Sequence, residues 1–233
     1  MSKAEQLALP FRGWGGRRAG AGRKPKGARA GVSHVARPSV SRHQPLHVTL
    51  RMVRRLPSLR GEVILRELRR ALASGKERFG MRVVHYSVQD DHAHLIVEAA
   101  DRRALSRGLH GLDVRFARAV NRALGRRGRV LADRYHARAL RSPREVRNAL
   151  VYVLLNWRKH SRSRRVAWDL ASSGPVFDGW RDADPRDRLA PALLDAIAET
   201  RARPDVWLLR AGWRRGGLID PMELPGSERS PAP

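Results

Sequence analysis

His92 and His94 flank Ala93 in a run of strand-forming residues that continues through Leu95 to Val97. Alternate side chains of a β-strand point to the same face, so the two imidazoles lie side by side while Ala93 and Leu95 enter a core. Imidazole is a common metal ligand, but two imidazoles fill only part of a coordination shell. The pair therefore predicts a metal site that other residues complete.

The chain has three tyrosines among which to look for a nucleophile. Tyr86 takes the core phase of a predicted strand. Tyr152 lies in a predicted helix, off its apolar arc, with Asn156 one turn later on the same polar strip. We expect its hydroxyl to point toward polar groups. The alternative is that the Tyr152 ring packs against a neighbouring helix and only its hydroxyl reaches solvent. Near an ion held by His92, His94 and an oxygen ligand, the Tyr152 oxygen could attack a phosphodiester.

The composition favours a polyanionic partner. The 233 residues carry 48 Lys and Arg against 22 Asp and Glu, a formal net charge of +26. This charge attracts phosphate groups and gains from counterion release, which favours nucleic acid; basic side chains that merely solvate the surface are the alternative. We expect no membrane partner, since no apolar run reaches the roughly 18 residues of a spanning helix. We expect a cytoplasmic location, because the sequence shows no secretory signal and no cysteine.

The absence of cysteine also bears on the metal. Closed zinc sites prefer four nitrogen or sulfur ligands, and thiolates are excluded here. Mg²⁺ or Mn²⁺ is therefore the predicted cofactor.

Three regions follow one another along the chain: a basic arm (1–44), a globular domain (45–165) and a partly helical extension (166–233). Residues 1–40 hold nine Lys and Arg against one acidic residue and are rich in glycine, so we expect a flexible arm that binds phosphate, or else a solubilising tail. The candidate DNA-binding residues are Arg17, Arg18, Arg23, Lys24, Lys26 and, from the first strand, Arg51.

The globular domain has the predicted order β-α-β-β-α-β with one added helix, which is the split β-α-β or ferredoxin-like arrangement of an α+β protein. We expect an antiparallel sheet with two helices on one face. The predicted elements are a strand from His47, a helix over 59–79 stopped by Gly80, strands over 81–88 and 92–99, a helix from Leu105 to Leu124, a weak strand within 129–140, and a helix from Pro143 to about His160.

Strand alternation divides the side chains between the two faces of this sheet. The phase predicted to meet the helices contains Val48, Leu50, Val84, Tyr86, Val88, Ala93, Leu95 and Val97. The opposite phase, predicted to be open to a substrate, contains His47, Thr49, His85, Ser87, His92 and His94. We expect His47 and His85 to be ordinary surface residues, and His92 and His94 to be ligands.

Together, these residues resemble the single-tyrosine HUH transposases of the IS200/IS605 type, and within them the REP-associated tyrosine transposases. His92-Ala93-His94 resembles the His-hydrophobic-His motif of that family, and Tyr152-Val153-Leu154-Leu155-Asn156 resembles its Tyr-Ile-x-x-Asn segment. The likeness covers about residues 45–160 and implies a ferredoxin-like fold. It further implies that His92 and His94 bind a divalent metal, that Asn156 is its third ligand, and that Tyr152 forms a 5′-phosphotyrosine.

Two positions depart from the family pattern. Gln89-Asp90-Asp91 stands where Pro-Asn or Pro-Glu is usual before the first histidine, and Trp157 stands where proline commonly follows the asparagine. Asp91 could add an oxygen ligand, but a solvated turn carboxylate is the favoured interpretation.

The resulting hypothesis is a metal-dependent nuclease and strand transferase that acts on single-stranded or hairpin DNA. A homodimer, with the tyrosine serving its own or the partner subunit, is left open. The alternatives are a rolling-circle initiator or relaxase, and a non-catalytic nucleic-acid-binding module of RNA-recognition topology, for which exposed aromatics on the central strands would be typical. In the extension we expect helices near 189–200 and 206–212, with Trp207 and Trp213 packed against the core.

Overall fold

A computed structural model describes residues 40–159, without the side chain of Lys159, and residues 168–226. The predicted arm residues Arg17, Arg18, Arg23, Lys24 and Lys26 lie outside this part of the chain. The described residues belong to one compact unit. Its strands are β1 (Leu46–Arg51), β2 (Glu77–Arg78), β3 (Met81–Val88), β4 (His92–Ala99) and β5 (His136–Ala139), and its α-helices are α1 (Glu62–Gly75), α2 (Arg102–Ala123), α3 (Pro143–Leu154), α4 (Pro191–Ala198) and α5 (Trp207–Arg210).

The five strands form one sheet in the order β2-β3-β4-β1-β5, with antiparallel neighbours throughout. Without the two-residue β2, this is the strand order of a split β-α-β fold. Helices α1 and α2 pack against one face through a buried cluster that contains Leu68, Leu72, Leu109 and Phe116. The predicted α+β, ferredoxin-like class is confirmed.

The second face of the sheet is covered by α3 and by the extension. A second cluster joins Ile96 of β4 to Leu150 of α3 and to Trp213. A β-bulge between Val83 and His85 shifts the register of β3, so Val84 packs in this second cluster and not against α1 and α2. The prediction for Val84 was wrong because simple alternation does not include an added residue.

Residues Ser172 and Ser173 of the extension lie along β3. Ser172 forms an isolated antiparallel bridge to Ser87, and the Ser173 backbone N–H donates to the Tyr86 carbonyl at 3.0 Å. His85 and Ser87 are consequently buried, at 3% and 0% exposure. The expectation that these two residues face solvent was wrong, because a distant segment covers them.

The largest differences from the predicted element boundaries concern α1, β5 and α3. Helix α1 ends at Gly75, and Gly80 instead occupies the turn between β2 and β3 with a φ of 76°. The last strand is limited to the four residues of β5. Helix α3 ends at Leu154, and a separate 3₁₀ helix follows over Asn156–Lys159.

The start of α3 is well determined by its local sequence. Ser142 and Glu145 form a capping box, and Pro143 occupies the first turn, where its missing N–H costs nothing. In the extension, 3₁₀ helices span Gly174–Val176, Pro185–Asp187 and Gly212–Gly216. Within the described residues, no helix is long and apolar enough to cross a membrane.

Candidate active site

Strand register places the predicted ligands side by side with residues of β1. Thr49 pairs with His94, and Arg51 pairs with His92. On the other side of β1, His136 of β5 also pairs with Thr49. Because directly opposed residues of antiparallel strands project to the same face, these side chains share the face on which α3 lies.

The two predicted histidines point their Nε2 atoms at each other across 3.0 Å. Their rings are nearly perpendicular, with centroids 4.7 Å apart. His94 is buried at 4% exposure, whereas the His92 side chain is 23% exposed. The outer side of the pair is therefore open to a ligand from solvent.

Both histidines are oriented through their other ring nitrogen. The Nδ1 atom of His92 lies 2.6 Å from an Asp91 carboxylate oxygen, and the hydrogen bond from His92 holds the pKa of Asp91 below its usual range. The Nδ1 atom of His94 lies 3.2 Å from both His47 Nε2 and Thr49 Oγ1. If each Nδ1 carries the ring proton, both Nε2 atoms keep a lone pair.

His47 is a site residue that the sequence interpretation placed on the surface. Burial, with contributions from Arg138 and His136, lowers its pKa to about 4. His47 is therefore neutral at physiological pH, and its Nε2 can accept a hydrogen bond from the Nδ1–H group of His94. His47 is partly exposed, but it is not an isolated surface residue, because it contacts His94 and its ring centroid lies 5.5 Å from that of Tyr152.

Asp91 was predicted to be a solvated turn carboxylate, and its side chain is 54% exposed as expected. Its carboxylate also contacts the His92 ring. A sequence signal for this role does exist, since Asp91 directly precedes His92 at the end of the hairpin turn.

The donor set fits a divalent cation. In the tautomer with both Nδ1 atoms protonated, the two Nε2 lone pairs converge at 3.0 Å and could together bind a cation. No group of three or more His, Asp or Glu side chains positioned for a metal occurs in the described part of the chain.

Tyr152 lies against the histidine pair of the same chain. Its ring centroid is 5.0 Å from that of His94, with the rings at 77°. The side chain is partly buried, at the edge of the apolar face that α3 packs on the sheet. The predicted position of Tyr152, off the apolar arc and beside polar groups, agrees with this geometry.

Asn156 follows the end of α3 and begins the 3₁₀ helix, so the single continuous helix predicted for Tyr152 and Asn156 is wrong. Its side chain is 5% exposed, and no hydrogen bond joins it to His92 or His94 within the described residues. Arg51 is exposed on β1 and pairs with His92 across the strands.

Comparison with protein families decides the class of the domain. Residues 40–148, a little under half of the chain, match the family of IS200-like transposases. These residues form an IS200-like transposase domain. The resemblance inferred from the two motifs is thereby confirmed at the level of the family, and the domain is that of an enzyme that cleaves and transfers DNA. The match includes His92 and His94 and ends four residues before Tyr152.

A solved structure of a REP-associated tyrosine transposase bound to a REP hairpin is also similar to the chain that carries this transposase domain. It is 19% identical, covers 57% of this chain and 77% of its own, and has a TM-score of 0.46. No curated protein matches the chain.

Proposed function

We propose that this protein is a metal-dependent endonuclease and strand transferase that acts on single-stranded DNA at hairpin or palindromic repeats. Its family supports a transposition-type reaction on DNA. The single observation that carries the residue-level proposal is the 5.0 Å approach of the Tyr152 ring to His94, whose Nε2 atom converges with that of His92.

In the proposed reaction, the Tyr152 oxygen attacks the phosphorus of a phosphodiester as the bond from phosphorus to the 3′ oxygen breaks. The departing 3′ oxygen gains a proton and the phenol loses one, so the step is neutral in net protons. The product is a 5′-phosphotyrosine, whose energy is close to that of the broken diester. A 3′ hydroxyl can later attack it, re-forming a diester and returning the proton to Tyr152.

We propose that His92 and His94, with Asn156 as an oxygen ligand, hold Mg²⁺ or Mn²⁺. When bound, this ion would supply charge to offset the negative charge that develops on the phosphate. Asp91, His47 and Thr49 keep the imidazoles in the tautomer that binds a cation.

We also propose that Tyr152 serves its own subunit. Helix α3 is held in place by the extension: the Arg147 guanidinium donates to the carbonyls of Gly217 and Leu218 and to both carboxylate oxygens of Glu223. With Tyr152 already beside the histidines, a dimer is not required to complete the site.

The test is incubation of the full chain with hairpin-bearing single-stranded DNA and Mn²⁺, followed by denaturing electrophoresis. We expect a covalent protein–DNA adduct that Tyr152→Phe abolishes and that His92→Ala or His94→Ala greatly reduces. Tyr135→Phe is the matched control, and it should leave the adduct intact. An adduct that persists in Tyr152→Phe would assign the nucleophile to another residue.

A further inference from the structure

A cleft of about 790 Å³ lies at the end of β4 remote from His92. Its walls come from the segment before β1, the start of β3, the end of β4 and the start of α5. Glu98, which lines the cleft, follows His94 by four residues on β4 and so projects to the same face of the sheet. At the rise of a strand, the two positions are about 13 Å apart. The cleft and the candidate active site thus lie on one face.

An exposed aromatic ring forms part of this cleft. Trp207 is 46% exposed, in contrast to Trp213, which is 1% exposed. Trp207 lies close to the backbone of Gly212, because a Cβ there would be only 2.8 Å from the indole ring. The Arg215 guanidinium lies over the ring, 4.9 Å from its centroid. The prediction that both tryptophans pack against the core is therefore correct for Trp213 and wrong for Trp207.

The segment that carries Trp207 is fixed to the sheet. The buried Glu98 carboxylate accepts hydrogen bonds from the backbone N–H groups of Asp205 and Val206, at 2.9 to 3.0 Å. Burial raises the pKa of Glu98 above its usual value. These hydrogen bonds hold the backbone just before Trp207, so less of this segment has to be ordered when a ligand binds.

Three arginines and three carboxylates line the cleft, so what bears on phosphate binding is which of the arginines are already paired. Arg42 and Arg141 line it with exposed side chains and form no ion pair within the described residues. The acidic residues on the rim are partly neutralised, because Arg82 lies 2.6 Å from Glu77 and 3.6 Å from Asp205. Positive charge is thus left available on the side of the cleft where β1 begins.

A further cation lies between the cleft and the candidate active site. Arg138 on β5 is exposed and pairs with His47 across the strands. A chain of phosphates leaving the histidine pair along the edge strand β5 would meet Arg138 first and then the arginines of the cleft.

We propose that this cleft binds an unpaired nucleotide of the DNA substrate, with its base stacked on Trp207 and its phosphates held by Arg42 and Arg141. The proposal rests on single-stranded DNA being the substrate of the domain. A preorganised aromatic ring beside cations is the arrangement that binds single strands with little sequence preference. The bound nucleotide would lie a few nucleotides from the phosphate that Tyr152 attacks.

The test measures DNA affinity by fluorescence anisotropy in EDTA, where a metal-dependent cleavage reaction does not proceed. The probes are a blunt hairpin and the same hairpin with an oligothymidine extension on its 5′ or its 3′ side. We expect Trp207→Ala to weaken binding of one extended hairpin by roughly 5- to 150-fold, the loss of one base stack, and to leave the blunt hairpin unaffected. Trp207→Phe should retain most of the affinity.

Phe79→Ala is the matched control. Phe79 is also 46% exposed and also lies beside arginines, Arg78 and Arg107, but it does not line the cleft. Its removal should not distinguish the extended hairpins from the blunt one. Replacing both Arg42 and Arg141 by Ala should reduce the salt dependence of binding to the same extended hairpin.

Two results would overturn the proposal: equal affinity of Trp207→Ala and wild type for both extended hairpins, or an equal loss for extended and blunt DNA. The outcome is independent of catalysis. A wild-type protein that forms no Tyr152 adduct but shows the Trp207 effect would refute the reaction and support the cleft. The reverse result would refute the cleft alone.

Discussion

Replacement of His47 by Ala tests whether the candidate metal site depends on the residues that orient its ligands. His94 Nδ1 has two partners, His47 Nε2 and Thr49 Oγ1, each at 3.2 Å. His47→Ala removes one of them and leaves the two proposed ligands, His92 and His94, in place. Its primary expected effect is therefore on the orientation and tautomer of His94.

The magnitude follows from the number of partners removed. Loss of a group that orients a metal-bound histidine typically costs about 10- to 100-fold in metal affinity, or about 1.4 to 2.8 kcal/mol. Because Thr49 still contacts Nδ1, we expect about tenfold for His47→Ala, at the lower end of that range. Adding Thr49→Val removes both partners and should bring the loss to about 100-fold.

The assay is Mn²⁺ binding followed by electron paramagnetic resonance, together with the Mn²⁺ concentration that gives half-maximal adduct formation. His110→Ala is the control, since His110 is an exposed histidine on α2. We expect saturating Mn²⁺ to restore most of the adduct formed by His47→Ala. An unchanged Mn²⁺ midpoint in both the single and the double variant would refute the reasoning, and His47 would then act on Tyr152 alone, whose ring lies nearby.

Two further predictions concern α3 and the sheet surface. Arg147→Met should lower the free energy of unfolding by about 2 kcal/mol, because it removes a bidentate ion pair with Glu223 that is only partly exposed. Thermal melting measures this loss. A loss no larger than that caused by Arg144→Met, at an exposed arginine of the same helix, would contradict the prediction. Arg51→Ala should weaken DNA binding about equally for all sequences and reduce the salt slope by about one, as expected for a phosphate contact. A change in sequence preference measured with competing oligonucleotides would instead assign Arg51 to base recognition.

Much of the sheet was predictable because strand alternation is a local property. The bounds of β3 and β4 agree with the runs 81–88 and 92–99, and the proximity of His92 and His94 follows from their spacing on one strand. The bulge at Val83 was not predictable, since an added residue is specified by the pairing of two strands and not by the pattern of one.

The limits of sequence interpretation are clearest at His47 and His85. Both have the same strand phase as His94, and the sequence alone offers no distinction between them. The structure separates their roles: register brings His47 to His94 Nδ1, while Ser173 of the extension approaches His85 Nδ1 at 3.2 Å in the interior. Contacts between residues far apart in the chain decide these environments.

The sequence by itself determined the class of chemistry: two imidazoles on one strand face, one tyrosine on a polar strip, and a net charge suited to nucleic acid. Residue types and strand period are sufficient for this, because both are local. The tertiary structure alone decided that Tyr152 lies beside its own histidines, that Asp91, His47 and Thr49 orient them, and that Trp207 is left exposed in a cleft. These features depend on how α3 and the extension pack on the sheet, and burial of apolar surface between distant segments is what fixes that packing.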